Sequence, residues 1–67
     1  MIRNEQELTA TMERIARFQK QVAHLRQVET NPANYRGSAS GFLTEIDRMQ
    51  LEVREYLCSL PLELAKS

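Results

Sequence analysis

The sequence lacks most of what stabilises small secreted proteins or builds large enzymes. It has one cysteine, no tryptophan, two glycines and two prolines among 67 residues. A single cysteine cannot form an intrachain disulfide, which excludes a disulfide-stapled secreted scaffold and favours a reducing compartment. A chain of this length forms at most one domain, so Rossmann, hydrolase and kinase scaffolds are excluded as well.

The sequence also lacks long apolar runs and an excess of either charge. No run approaches the roughly 18 apolar residues of a membrane span, and the first residues lack the apolar core of a signal peptide. Nine basic residues balance nine acidic ones, so the chain has no general attraction to nucleic acids or anionic membranes. We therefore expect a cytoplasmic protein without a membrane partner, and the overall charge does not favour a nucleic-acid partner.

The scarce prolines and glycines divide the chain into two long segments. Neither residue type occurs in 4–30 or 42–60, whereas the stretch between them contains Pro32 and Gly37. Because proline disfavours helical backbone in the residue before it, the first helix is expected to end by Asn31. We therefore predict one domain with a helix over 4–30, a loop over 31–37, a helix over 38–60 and a tail over 61–67.

Both segments have the alternating three- and four-residue apolar spacing of an amphipathic helix. Asn4 followed by Glu7 predicts a capping box at the first helix, and Ser38 or Ser40 is the expected cap of the second. The apolar rows, with Leu57 beside them, are the predicted core and interface: Leu8, Ile15, Phe18, Val22, Leu25, Phe42, Ile46, Met49, Val53, Tyr56, Leu57 and Leu60.

Two long helices with a short connection form an antiparallel hairpin, so the predicted fold is an all-α two-helix hairpin. The apolar arc of the first helix spans about 160–200°, more than one neighbouring helix can cover. In the second helix, Leu43 and Leu57 lie beside the row and Leu51 lies roughly opposite it. Small chains with this much exposed apolar surface usually oligomerise. We expect a homodimer forming a four-helix bundle, or else a docked protein partner.

Residues with catalytic potential are few. His24 has no ligand or carboxylate three or four residues away, so we interpret it as a surface residue. Cys58 lies near a helix C-terminus, where the local field disfavours a thiolate, so we interpret it as a small packing residue. Since a lone histidine and a lone cysteine cannot supply the roles of an active site, we expect no enzyme, no metal and no cofactor.

One basic row gives an alternative function. Arg14, Arg17 and Lys20 follow one another at three-residue spacing on the polar side of the first helix. They could contact phosphates in a nucleic-acid-associated accessory protein. The zero net charge and the few aromatic residues favour a solvated face instead.

Nine positions along the two helices form a pattern that is found in a known group of proteins: Asn4, Glu5, Phe18, Leu25, Ile46, Met49, Glu52, Tyr56 and Leu57. Their order resembles the helical-hairpin segment that precedes helix-turn-helix domains in some bacterial antitoxin-type regulators. It is also similar to free-standing small bacterial helical proteins. The resemblance implies a self-associating or partner-binding module of the bacterial cytoplasm, in a regulatory or toxin–antitoxin context. The 67 residues include no DNA-binding domain, so repressor activity is not implied.

Overall fold

The computed structural model describes residues 1–58, which form two α-helices packed against each other as a hairpin. Helix α1 covers Glu5–Val28 and helix α2 covers Pro32–Leu57. At 1.5 Å per residue the helices are about 36 and 39 Å long. The prediction of two mutually packed helices is confirmed. The predicted tail over 61–67 and Leu60 lie outside the described residues.

The start of α1 follows the predicted capping pattern with one variation. The Asn4 Oδ1 atom accepts a hydrogen bond of 2.8 Å from the backbone N–H of Glu7. The Glu7 carboxylate accepts one of 2.8 Å from the backbone N–H of Arg3, one residue before the cap. The two bonds satisfy two backbone donors at the positive end of the helix, where an acidic side chain is also favourable.

The predicted loop over 31–37 is wrong, because α2 begins at Pro32. The Asn31 side chain caps this helix by accepting hydrogen bonds from the backbone N–H groups of Ala33 and Asn34, at 2.9 and 3.3 Å. Proline suits the first helical position, where its missing N–H would have no partner in any case. Ser38 and Ser40, the predicted caps, lie inside α2.

The connection between the helices is therefore only three residues long, from Glu29 to Asn31. The Glu29 carboxylate accepts a hydrogen bond of 3.0 Å from the backbone N–H of Asn31, and the Glu29 N–H donates to the Leu25 carbonyl. This short turn holds the helices antiparallel.

Two apolar clusters fill the space between the helices. One joins Ile2, Leu8 and Tyr56. The other joins Ile15, Ile46 and Met49, and the half-buried Val53 packs against both clusters. Nearer the connection, Phe18 and Phe42 pack edge to face with ring centroids 5.4 Å apart. Burial of these side chains stabilises the hairpin by about 25 cal/mol per Å² of apolar area.

Candidate interaction surface

The seam between the helices follows a heptad pattern, whose positions we label a to g with Leu8 and Ile46 at a. Positions a and d face the other helix, and every predicted seam residue from Leu8 to Tyr56 is buried or half-buried there. Leu57 occupies the following position e and is 63% exposed. The hairpin itself therefore uses the predicted seam residues, while Leu57 lies outside its core.

The seam includes residues that the sequence analysis missed. Ala39 is 1% exposed and Tyr35 is half-buried. Both extend the apolar row of α2 from Phe42 towards the N-terminus, at spacings of three and four residues. Tyr35 was missed because it lies in the predicted loop over 31–37, and Ala39, inside the predicted second helix, was missed because a small side chain gives little apolar signal.

A hairpin that is one helix thick has two open faces, and one of them is charged. On this charged face, formed by the g positions and their neighbours, a groove of about 460 Å³ is lined on both helices by polar side chains. Arg48 forms ion pairs with Glu45 and, at 3.9 Å, with Glu52. The hydrogen bond to Glu45 raises the pKa of the Arg48 guanidinium. The groove lining includes Ile2, Arg3, Glu7, Arg14, Arg48 and Glu52.

The opposite face is formed by the e positions, and the middle of these rows is uncharged. We call this the neutral face, with Met12 and Gln19 on α1 and Leu43 and Gln50 on α2. In an antiparallel pair, equivalent heptad positions of the two helices flank the same side of the seam, so these four residues share one face. Met12 is 45% exposed and Leu43 is 46% exposed.

Charged side chains occupy three of the four end positions of the neutral face. At the open end of the hairpin Glu5 is the e position of α1 and Leu57 that of α2, whereas Arg26 and Arg36 are the e positions near the connection. The Tyr56 hydroxyl donates a hydrogen bond of 3.3 Å to the Glu5 carboxylate. Burial of its ring and the nearby Glu5 charge raise the pKa of Tyr56.

The basic row of the alternative function spreads around α1. Arg14, Arg17 and Lys20 are all exposed. Successive residues of the row are offset by about 60° around the helix, so the outer two point about 120° apart. Arg14 also lines the groove that contains Glu7 and Glu52.

His24 and Cys58 are both exposed. The surface interpretation of His24 is confirmed, whereas the packing role predicted for Cys58 is wrong. Cys58 lies at position f, which points away from the seam, and it follows the last residue of α2. Within residues 1–58, no three or more His, Cys, Asp or Glu side chains come together as a metal site. Neither helix of that range combines the length and apolar character that crossing a membrane requires.

Comparisons with known proteins add no relative. The chain matches no protein-family model, no curated protein and no solved structure.

Proposed function

We propose that the chain is a non-enzymatic, self-associating protein-interaction module that works by packing its helical hairpin against a second copy of itself. The observation that carries this proposal is the apolar surface that the hairpin leaves exposed. Large apolar side chains that are at least 45% exposed occur along both helices: Met12, Val28, Leu43, Leu51 and Leu57.

Two packed helices cannot cover all the apolar side chains that this sequence contains. Among the described residues no large side chain is fully buried, and even the best-covered ones, such as Met49 at 3%, retain some exposure. A second helical layer on one open face would cover the seam and the apolar side chains on that face, and would turn the hairpin into half of a four-helix bundle. Association of this kind is the usual way for so small a chain to stabilise its fold.

The resemblance to segments of antitoxin-type regulators supports a context for this module. In such regulators a helical hairpin would bring two polypeptides together. We propose that this chain does the same in the bacterial cytoplasm, as part of a regulatory system. This role requires only a stable interface, which agrees with the scarcity of catalytic side chains.

The test is the mass of the purified chain in solution, measured by light scattering over a concentration series. Reducing buffer is needed because the exposed Cys58 thiol could join two chains by oxidation. We expect a dimer mass that decreases towards the monomer mass only at the lowest concentrations. The Cys58→Ser variant should behave identically. A monomer mass at every concentration would contradict self-association.

A further inference from the structure

We propose that the second copy docks on the neutral face, with the two hairpins antiparallel so that their connections lie at opposite ends of the bundle. This inference rests on the proposed function, because it names the surface and the orientation of the self-association.

The composition of the two faces selects the neutral one. Helices in a bundle core present apolar residues at a and d and at one of e or g. Here the middle e positions carry Met12 and Leu43 with two uncharged glutamines. The corresponding g positions carry Arg14 and Glu45, whose charges would lose water in an interface. At the centre of the neutral face the e rows of both helices are uncharged, so a copy docked there buries no charged e residue.

The first residues of the chain cover part of one face and not the other. Ile2 is 6% exposed and belongs to the same cluster as Leu8 and Tyr56. The α-amino group of Met1 lies 3.1 Å from a Glu52 carboxylate oxygen, on the side of the charged face. This segment covers part of the charged face and leaves the neutral face open.

The spacing of the neutral face is compatible with a two-fold axis across the helices. In α1 the midpoint between Met12 and Gln19 lies beside Ile15, and in α2 the midpoint between Leu43 and Gln50 lies beside Ile46. Ile15 and Ile46 belong to one packed cluster, so both midpoints lie at the same height. With a two-fold axis at this height, Met12 contacts Gln19 of the second copy and Leu43 contacts Gln50 of the second copy. Helix α1 then packs against α1 of the second copy, and α2 packs against α2.

Charge at the ends of the face selects the antiparallel orientation. With the axis at this height, Glu5 meets Arg26 of the second copy, and the symmetry forms this pair twice. If the hairpins were parallel, Arg26 would instead meet Arg36 of the second copy, and two pairs of like charges would result. Like charges across an interface oppose association, so the antiparallel arrangement is favoured.

One residue acts against this arrangement. Asp47 lies near the axis, and the two copies of its carboxylate would approach each other. At about 100° per residue, Asp47 lies about 130° from the seam direction, so its side chain is at the outer edge of the interface. There it keeps its contact with water, whose high dielectric constant weakens the repulsion.

The docking face is tested with two leucines of the same helix. Leu43 is 46% exposed on the neutral face, and Leu51 is 54% exposed on the outer side of α2. We expect Leu43→Lys to raise the dimer dissociation constant about tenfold or more, because it places a charge in the apolar interface. Leu51→Lys is the matched control and should leave this constant unchanged. Equal effects of the two variants, or a larger effect of Leu51→Lys, would overturn the assignment of the face.

The orientation is tested with two alanines of α1, both exposed. In a Cys58→Ser background, Ala16→Cys places a thiol close to the two-fold axis, whereas Ala10→Cys places one on the charged side. A disulfide between the two copies requires their Cα atoms to lie within about 7 Å. Of residues 10 and 16, the antiparallel arrangement brings only residue 16 this close to its copy. Mild oxidation should therefore cross-link the Ala16→Cys variant and leave Ala10→Cys uncross-linked. An uncross-linked Ala16→Cys dimer would overturn the antiparallel arrangement.

These outcomes are separable from failure of the proposed function. A wild-type chain that stays monomeric removes both proposals at once. A wild-type dimer that tolerates Leu43→Lys keeps self-association and removes only the neutral face. A circular dichroism spectrum of each variant at the concentration used for association checks that the helices remain formed.

Discussion

The half of the hairpin at the open end and the half next to the connection bury their side chains differently. At the open end, Ile2 adds a third apolar element beside the two helices, and Leu8 and Tyr56 are 6% and 7% exposed. Next to the connection, Phe18 and Phe42 remain half-buried although they contact each other. The same heptad spacing thus gives different burial in the two halves.

The largest expected loss of stability follows from truncating a buried residue, and it is compared with the loss from truncating a half-buried residue next to the connection. Ile46→Ala should lower the free energy of unfolding by about 2–4 kcal/mol, because it opens a cavity among packed side chains. Val22→Ala should cost about 1 kcal/mol, since its side chain is partly exposed already. Urea unfolding followed by circular dichroism, at one fixed protein concentration, measures both. Equal losses would show that the half next to the connection is at least as well packed, because Val22→Ala removes fewer carbon atoms than Ile46→Ala.

A smaller effect is expected at the connection itself. Asn31→Ala removes the side chain that caps α2, and should lower the free energy of unfolding by about 1 kcal/mol. Asn34→Ala is the matched control, since only the backbone of Asn34 takes part in the cap. If the two variants were equally stable, the capping role of Asn31 would be refuted.

A stabilising change tests whether the half near the connection is helical. Gly37 lies inside α2, and a Cβ atom added there would meet nothing within 4 Å. Gly37→Ala should therefore raise the free energy of unfolding by about 0.5–1 kcal/mol, because alanine loses less backbone entropy in a helix. Thermal unfolding measures the gain. A loss of stability would instead indicate that residue 37 is not helical.

The smallest effect concerns pH at the open end. Burial and the Glu5 charge raise the pKa of Tyr56 above its ordinary value of 10.0. The folded state therefore favours the protonated phenol, and this contribution to stability is present below pH 10 and is lost as the pH rises through the folded-state pKa. An absorbance titration of tyrosinate should show one tyrosine ionising late. In the Tyr56→Phe variant that late step should be missing, and a step that persisted would assign it to Tyr35.

The sequence predicts the helical hairpin and its seam well, because apolar spacing depends only on helix geometry. The predicted start of α2 was wrong, because a proline can both end one helix and occupy the first turn of the next, as Pro32 does. Ala39 was missed because a small residue gives little apolar signal. The burial of Ile2 could not be predicted, as it lies outside any periodic segment and depends on where Tyr56 lies in three dimensions.

The candidate interaction surface could be predicted only in part from the sequence. The predicted interface residues from Leu8 to Tyr56 are a and d positions, and the structure places them inside the single hairpin, whereas Leu57 is exposed at position e and Leu60 lies outside the described residues. What remains for a partner are the e and g rows, which the sequence also contains. The charges of the two rows favour the e row, and the positions of Met1 and Ile2, which only the structure supplies, add that the g side is partly covered.

The separation in sequence of the best-packed residues has a consequence for folding kinetics. Leu8 and Tyr56, which belong to one buried cluster, come from the start of α1 and the end of α2. Apart from Ala39, the residues that meet first, beside the three-residue turn, remain half-buried or exposed. Each later pair closes a longer stretch of chain, and the entropic cost of closing it grows only slowly with length. Both buried clusters lie beyond the part that closes first, so a hairpin closed only beside its turn is unstable and the two helices form together.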